Sequence, residues 1–393
     1  MSIKITSIEC LRLIRPRRIP KTKRRTDNHS RKLYGNPHPI HQYPEFVRQR
    51  DTTPGEAAAS KLMHVRVTAE NGMVGIGCCH WGEYAASVVT QHLTPLLLGR
   101  DCLAIELLND LMWRSSVRMG ATGVVSSAQG AIDIALWDLK GKVLGVPVYS
   151  LLGGPCRPAV DLYATTNDFE WALELGFKAV KMRNSAHLVD AMEGLNLLEE
   201  RVAEARDIVG PNIDLMLNAV MAYNVEYAVR VMDRLRPYRL RWLEEPLMPW
   251  NLEGHVEIKR AVGTIPIATG ETLRGRHAFR QVVEHRAADV LQPDIRWTGG
   301  LSETLKIYTL AEAAGIQTIP HSGASMAAGQ HFAFSMPESP MAEFMLSSPR
   351  GVPLEEVNNN LGMRMPANGK LIPSDAPGLG EEFGSDDFVA WAE

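Results

Sequence analysis

The chain has 393 residues, enough for one large barrel and an accessory unit, and its 45% hydrophobic fraction suits a protein that buries a sizeable core. Its 42 Lys and Arg against 45 Asp and Glu leave a net charge of −3, so nothing global points to nucleic acid, and no apolar run approaches the length of a membrane span. The N-terminus lacks the apolar core of a leader peptide, so a cytoplasmic location is expected, without a membrane or nucleic-acid partner. Cys10, Cys78, Cys79, Cys102 and Cys156 are odd in number and scattered, which fits reduced thiols better than a disulfide framework or a zinc site.

Residues 3–14 alternate apolar and polar like a strand, and 61–77 read as two strands joined by a turn at Glu70-Asn71-Gly72. Between them, Arg15–Arg25 holds seven basic residues in eleven, and the stretch to Asp51 is rich in His, Pro and Tyr. That composition predicts a long loop, of a length that is usually functional or disordered within a compact domain. The basic run superficially resembles a nucleic-acid patch, but its interleaved prolines argue against that. From about 83 to 145 the pattern is helical, clearest where Ala131, Ile134, Ala135, Trp137 and Leu139 form a broad apolar face. Gly75, Gly77 and Gly82 echo a nucleotide-binding glycine loop only loosely, because they lie beside a hairpin and open no βαβ helix.

Beyond residue 150 the rhythm changes. Strand-like runs begin near 161, 179, 214, 241, 266, 290, 317 and 342, and from the third onward their starts lie 24 to 27 residues apart. Amphipathic helical patterns fill the intervals, which defines a parallel β/α barrel. Asn218, Glu244, Glu271, Asp294 and His321 each fall at the end of an otherwise apolar run, the end that forms the active-site rim of such barrels. Any one of them has a plain structural reading as a helix cap or an ion-pair partner. Taken together, successive strands deliver oxygen donors to one rim, a set that suits a hard octahedral cation such as Mg²⁺. Asp294 and His321 then follow on neighbouring strands, where the acid can orient one ring nitrogen and leave the other as a base. A histidine bonded to Asp for structure alone is the competing reading.

Several segments carry a family resemblance: the AENG turn, IDIALWDLKGKVLGVPVYSLLGG, WLEEPL, TGE, QPD followed by GG, PH, and the EF-ML-SP pattern at 343–349. Over nearly its whole length the chain resembles the acid-sugar dehydratases of the mandelate-racemase-like branch of the enolase superfamily. That resemblance implies a modified (β/α)8 barrel of the (β/α)7β type, with an α+β capping domain. The expected boundaries are 1–150 for the cap with its long active-site loop, 151–350 for the barrel, and 351–393 for a segment returning to the cap. It further implies Mg²⁺ held at positions 218, 244 and 271, an Asp294–His321 dyad with His321 as base, and Glu343 near the substrate. The implied reaction is dehydration of a sugar acid, L-rhamnonate or a similar aldonate, to a 2-keto-3-deoxy acid. Relatives form symmetric oligomers, so a homo-oligomer is expected.

Many relatives place Lys-x-Lys at the end of the second barrel strand, with the second Lys a base on the opposite face. Here the triplet is Lys181-Met182-Arg183. A guanidinium stays protonated and accepts protons poorly, which favours one-base elimination over racemisation and leaves Arg183, like Lys181, a candidate for holding the substrate. An exposed surface Arg is the alternative. In the resembled family the cap closes over the barrel mouth, which makes His29, His38, His41, Arg48 and Arg50 candidate contacts for an anionic polyol.

The chain departs from the family at position 218, where relatives carry Asp and this sequence has Asn. An amide oxygen can still coordinate Mg²⁺, but the site loses a negative charge worth roughly 3–4 kcal/mol at an effective dielectric near 20. Three explanations stand open: a natural variant with weaker metal binding, an Asp→Asn replacement made to trap an inactive complex, or a relative that has lost catalysis and only binds sugar acids. A racemase or cycloisomerase on the same scaffold is a further alternative.

Overall fold

The computed structural model describes residues 2–14, 39–43, 46, 61–357 and 363–391. Strands β1 (Ile5–Leu13), β2 (Met63–Ala69) and β3 (Val74–Cys79) form an antiparallel meander, and the β2–β3 hairpin turns at Glu70–Met73 as the Asn-Gly signal predicts. The helix Val124–Leu144 lies across this sheet. Gly75 and Gly77 permit the contact, because a Cβ on either would collide with the carbonyl oxygens of Ala135 and Ala131. The glycines of the apparent nucleotide motif are therefore packing residues. Cys10, Cys79 and Cys102 are buried, Cys78 is half-buried, Cys156 is exposed, and all five are free thiols.

Eight parallel strands follow: β4 (Val160–Thr165), β5 (Ala179–Arg183), β6 (Asp214–Asn218), β7 (Leu243–Glu244), β8 (Ile267–Thr269), β9 (Val290–Leu291), β10 (Gln317–Thr318) and β11 (Met341–Met345). Their spatial order is β10-β9-β8-β7-β6-β5-β4-β11, with β12 (Lys370–Leu371) antiparallel on β4. The seam between β10 and β11 is drawn together by Thr318 N–H donating to the Glu338 carbonyl (3.0 Å) and Ser322 N–H donating to Glu343 (2.7 Å). This is the curled parallel sheet of a (β/α)8-type barrel with a separate antiparallel cap. The final strand, β13 (Phe388–Ala390), pairs antiparallel with β1, so the C-terminal segment stitches back to the cap. Among the described residues no helix is long and apolar enough to cross a membrane.

The barrel interior obeys the period of two along each strand. One inward layer is apolar and buried: Tyr163, Ala179, Met216, Trp242, Ala268, Val290 and Ile319. Two residues further on, the same inward positions carry Thr165, Lys181, Asn218, Glu244, Gln292 and His321, and Met341 is likewise followed by Glu343. A dry plug thus supports a polar floor directly above it.

Cap and barrel meet along the helix Val124–Leu144, which explains why it is buried nearly all round and not on a single face. Ser126 donates to the Trp297 carbonyl (2.7 Å) and Trp137 to the Ser302 hydroxyl (2.9 Å). Asp133, fully buried, accepts from Ser302 N–H (2.9 Å) and the Asn109 amide (3.1 Å). Burial raises its carboxyl to about 6, partly offset by those hydrogen bonds. Between about pH 4 and 6 the folded state holds this proton while the unfolded chain has released it, so stability falls as pH rises, by on the order of 2 kcal/mol. Asp133→Asn is expected to flatten that slope in thermal melts recorded from pH 4 to 7.

Candidate active site

At the centre of the polar floor stands Lys181, 1% exposed, on β5. Its ammonium lies 2.6 and 2.8 Å from the two oxygens of Glu244 and 2.7 Å from Glu343. Burial works against the charge, but Glu244 and then Glu343 outweigh it and hold the ammonium well above its usual pKa. Glu343 is pulled down in turn, burial being overcome by Lys181 and then His321. Thr165 also donates to Glu343. Lys181 is therefore spent on protein carboxylates, while Arg183, at the end of β5, has an exposed side chain with no hydrogen bond among the described residues. Removing the ammonium leaves two buried carboxylates facing each other, so Lys181→Met is expected to cost roughly 3–5 kcal/mol, read by chemical denaturation.

Glu244 is saturated. Besides Lys181 it accepts from the Asn218 amide (2.7 Å), the Gln292 amide (2.8 Å) and the Trp242 indole (3.3 Å). The Asn218 oxygen turns the other way, onto the Val220 N–H at 2.8 Å. Val220 and Met221 sit at φ 52° and 59°, and Glu245 at φ 40°, so the chain is strained where it leaves β6 and β7. Glu271 differs from its neighbours. Gly270 at φ +130° breaks the parity of β8, and among the described residues the Glu271 carboxylate makes no hydrogen bond and lies 3.6 Å from His321 Nε2.

His321 Nδ1 lies 2.9 Å from Asp294 Oδ2, and Asp294 is held from behind by Arg296 at 3.1 Å. Burial disfavours the Asp294 charge, yet Arg296 and then His321 override it and keep the carboxyl well below the usual range. Burial also opposes a charged His321, but Glu271, the Asp294 hydrogen bond and Glu343 together push it up to about 9. The second ring nitrogen faces Glu271 and the Ser322 hydroxyl, 3.2 Å away. The dyad thus has one nitrogen fixed and the other facing Glu271; a cation on Glu271 would cancel the charge that now favours the imidazolium and leave that nitrogen able to act as a general base.

Asn218, Glu244, Glu271, Asp294, His321, Glu343 and Lys181 are thereby gathered on one rim. His41 is buried in a short turn, Pro39–Gln42, near enough to His187 that its charge, after burial and Asp190, bears on that imidazole. His29, His38, Arg48 and Arg50 lie outside the described residues. Gln292, Thr165, Arg296 and Ser322 were missed from sequence. Gln292 and Thr165 were detectable as polar residues at inward strand positions, whereas Ser322 and Arg296 flank the dyad and carry no periodic signal.

Among the described residues no three His, Cys, Asp or Glu side chains form a metal-holding group, because the third oxygen donor of the rim is an amide. The donor set still fits a hard cation. Glu271 offers a carboxylate whose partner among the described residues is His321 Nε2 at 3.6 Å, Glu244 a second carboxylate that Lys181 and three neutral donors hold in place, and the two ends of the Asn218 amide exchange by rotation about one bond.

Residues 167–387 match the enolase C-terminal domain-like family and residues 48–153 the N-terminal domain of mandelate racemase and muconate lactonizing enzyme. The chain belongs to the enolase superfamily, in its mandelate racemase/muconate lactonizing enzyme division. It is 36% identical over 345 residues to L-rhamnonate dehydratase of Saccharopolyspora erythraea, covering 87% of each chain. A crystal structure of rhamnonate dehydratase from Gibberella zeae complexed with Mg superposes with a TM-score of 0.88 at 30% identity, covering 99% of this chain and 97% of that one. The 3,6-anhydro-D-galactonate cycloisomerase of Zobellia galactanivorans matches at TM-score 0.78 and 27% identity, covering 98% and 97%.

Proposed function

We propose that this protein is a Mg²⁺-dependent hydro-lyase that dehydrates a sugar acid, L-rhamnonate or a similar aldonate, to a 2-keto-3-deoxy acid. The observation that carries the reading is the Asp294–His321 dyad, 2.9 Å apart, with its second ring nitrogen 3.6 Å from the Glu271 carboxylate. The likeness to L-rhamnonate dehydratase over most of the chain supports the same reaction class.

Glu244, Glu271 and the Asn218 oxygen would hold the cation, which supplies Lewis-acid charge to the substrate carboxylate and so acidifies the adjacent C–H. His321 Nε2 accepts the proton from C2, while Asp294 anchors Nδ1–H and stabilises the imidazolium that results. The electron pair released at C2 forms the C2–C3 double bond as the 3-hydroxyl departs, and the imidazolium gives that hydroxyl its proton, so that water leaves and the neutral imidazole is restored. Ketonisation of the enol then gives the 2-keto-3-deoxy acid. Arg183 stays protonated and does not accept a proton, so it does not supply the second base a racemase needs.

Asn218 motivates a second reading, a chain that binds sugar acids without turning them over. A keto-acid assay with excess Mg²⁺ over a panel of aldonates and aldarates, on this chain and on Asn218→Asp, separates the two. Keto-acid from either protein supports dehydration. Binding of an acid with no product from both supports the silent reading.

A further inference from the structure

Arg274 follows Glu271 by three residues and, like Arg183, pairs with no carboxylate among the described residues. Arg296 pairs with Asp294 and Arg276 with Glu303, but Arg274 has no ion pair among the described residues. Its Nη1 donates to the carbonyls of Glu271 (2.9 Å) and Leu273 (3.1 Å), while its Nε is buried without a partner. A buried donor left unmade is costly, and such a group marks a place where a ligand completes the hydrogen bonding.

Two indoles fix the guanidinium. Its carbon lies 5.0 Å from the Trp297 ring centre and 5.7 Å from that of Trp81, and the two rings stand 4.9 Å apart. Trp297 is itself 5.4 Å from the His321 ring, and its indole N–H is held by His80 Nδ1 at 3.0 Å. Trp81 adopts φ 59°, a left-handed conformation uncommon for so bulky a residue. His80 and Trp81 come from the cap, Arg274 and Trp297 from the barrel, so the cluster is complete only where both domains meet.

We propose that Arg274, gripped by Trp81 and Trp297, forms the subsite for the oxygen-bearing far end of the sugar-acid chain. This rests on the sugar-acid reading above and deepens it. With the reacting carbons between Glu271 and His321, the later carbons of a six-carbon acid pass the Trp297 face, against which C–H groups pack. Their hydroxyls, or the second carboxylate of an aldarate, accept from the free guanidinium donors. A three-carbon acid does not extend that far.

The test is calorimetric titration, with Mg²⁺ present, of glycerate, L-rhamnonate and galactarate into wild type, R274M and R274K. Six-carbon acids are expected to bind R274M roughly 10- to 100-fold more weakly, while glycerate changes less than about twofold. R274K, which keeps the charge but not the planar fork, falls between them and carries the test if R274M does not fold. Galactarate binding wild type more tightly than L-rhamnonate, and losing more in R274M, identifies a second carboxylate as the group held. The reverse order identifies hydroxyls. Equal loss for all three acids, or no loss for any, overturns the subsite. If wild type binds none of the acids, the sugar-acid reading itself falls and takes the subsite with it.

Discussion

Asn218→Asp is expected to tighten Mg²⁺ binding by about a hundredfold. An added charge a few ångströms from the cation is worth roughly 4 kcal/mol at an effective dielectric near 20, and repulsion from Glu244 takes back part of it. The present geometry adds to the expected difference. The Asn218 amide donates to Glu244 at 2.7 Å and its oxygen accepts from Val220 at 2.8 Å, so both ends of the side chain are already satisfied by protein. The same substitution deletes the bond to Glu244 and places two carboxylates face to face. Without metal the variant is therefore expected to melt at a lower temperature than wild type, and with millimolar Mg²⁺ at a higher one. Thermal melts and direct titration read both effects without any substrate. Unchanged affinity would show that position 218 does not contribute a ligand.

His321→Asn is expected to lower the rate of dehydration by roughly 10³- to 10⁴-fold while leaving Mg²⁺ and sugar-acid binding within a few-fold of wild type. Among the described residues His321 is the imidazole held by Asp294 at one nitrogen while its other nitrogen faces Glu271. Asp294→Asn should approach the same loss by a different route. The ring remains, but the amide accepts less strongly and no longer stabilises the imidazolium. Rates measured with the substrate named by the keto-acid panel decide the matter. A variant that retains a tenth of the activity would place the base elsewhere.

Much of this rim was legible in the sequence because a barrel strand has a period of two. Trp242 followed by Glu244 in RWLEE, or Met216 followed by Asn218 in LMLN, puts an apolar plug and a polar tip on one inward line. The eight strand runs could be found for the same reason, although β7 to β10 are shorter as paired strands than their apolar patterns suggest. Glu271 was legible as a polar residue at the end of an apolar run, but not from the alternation, since Gly270 interrupts the period that carries the other donors inward. Contacts between residues distant in the chain left no local trace. Nothing in AVKMR announces that Lys181 will be claimed by Glu244 and Glu343 from two other strands. Nor does the hairpin sequence foretell that Gly75 and Gly77 exist to admit a helix, or that His80 and Trp81 reach across from the cap to Trp297.

The most direct test of the central claim is to incubate the protein with L-rhamnonate and Mg²⁺ in deuterated water and follow the carbon skeleton by NMR and mass. Removal of the C2 proton, loss of the 3-hydroxyl and ketonisation predict a 2-keto-3-deoxy acid lighter by one water and carrying solvent deuterium at C3. Deuterium at C2 of an aldonate that has lost no water would mean exchange or racemisation on this scaffold and would contradict the dehydratase reading.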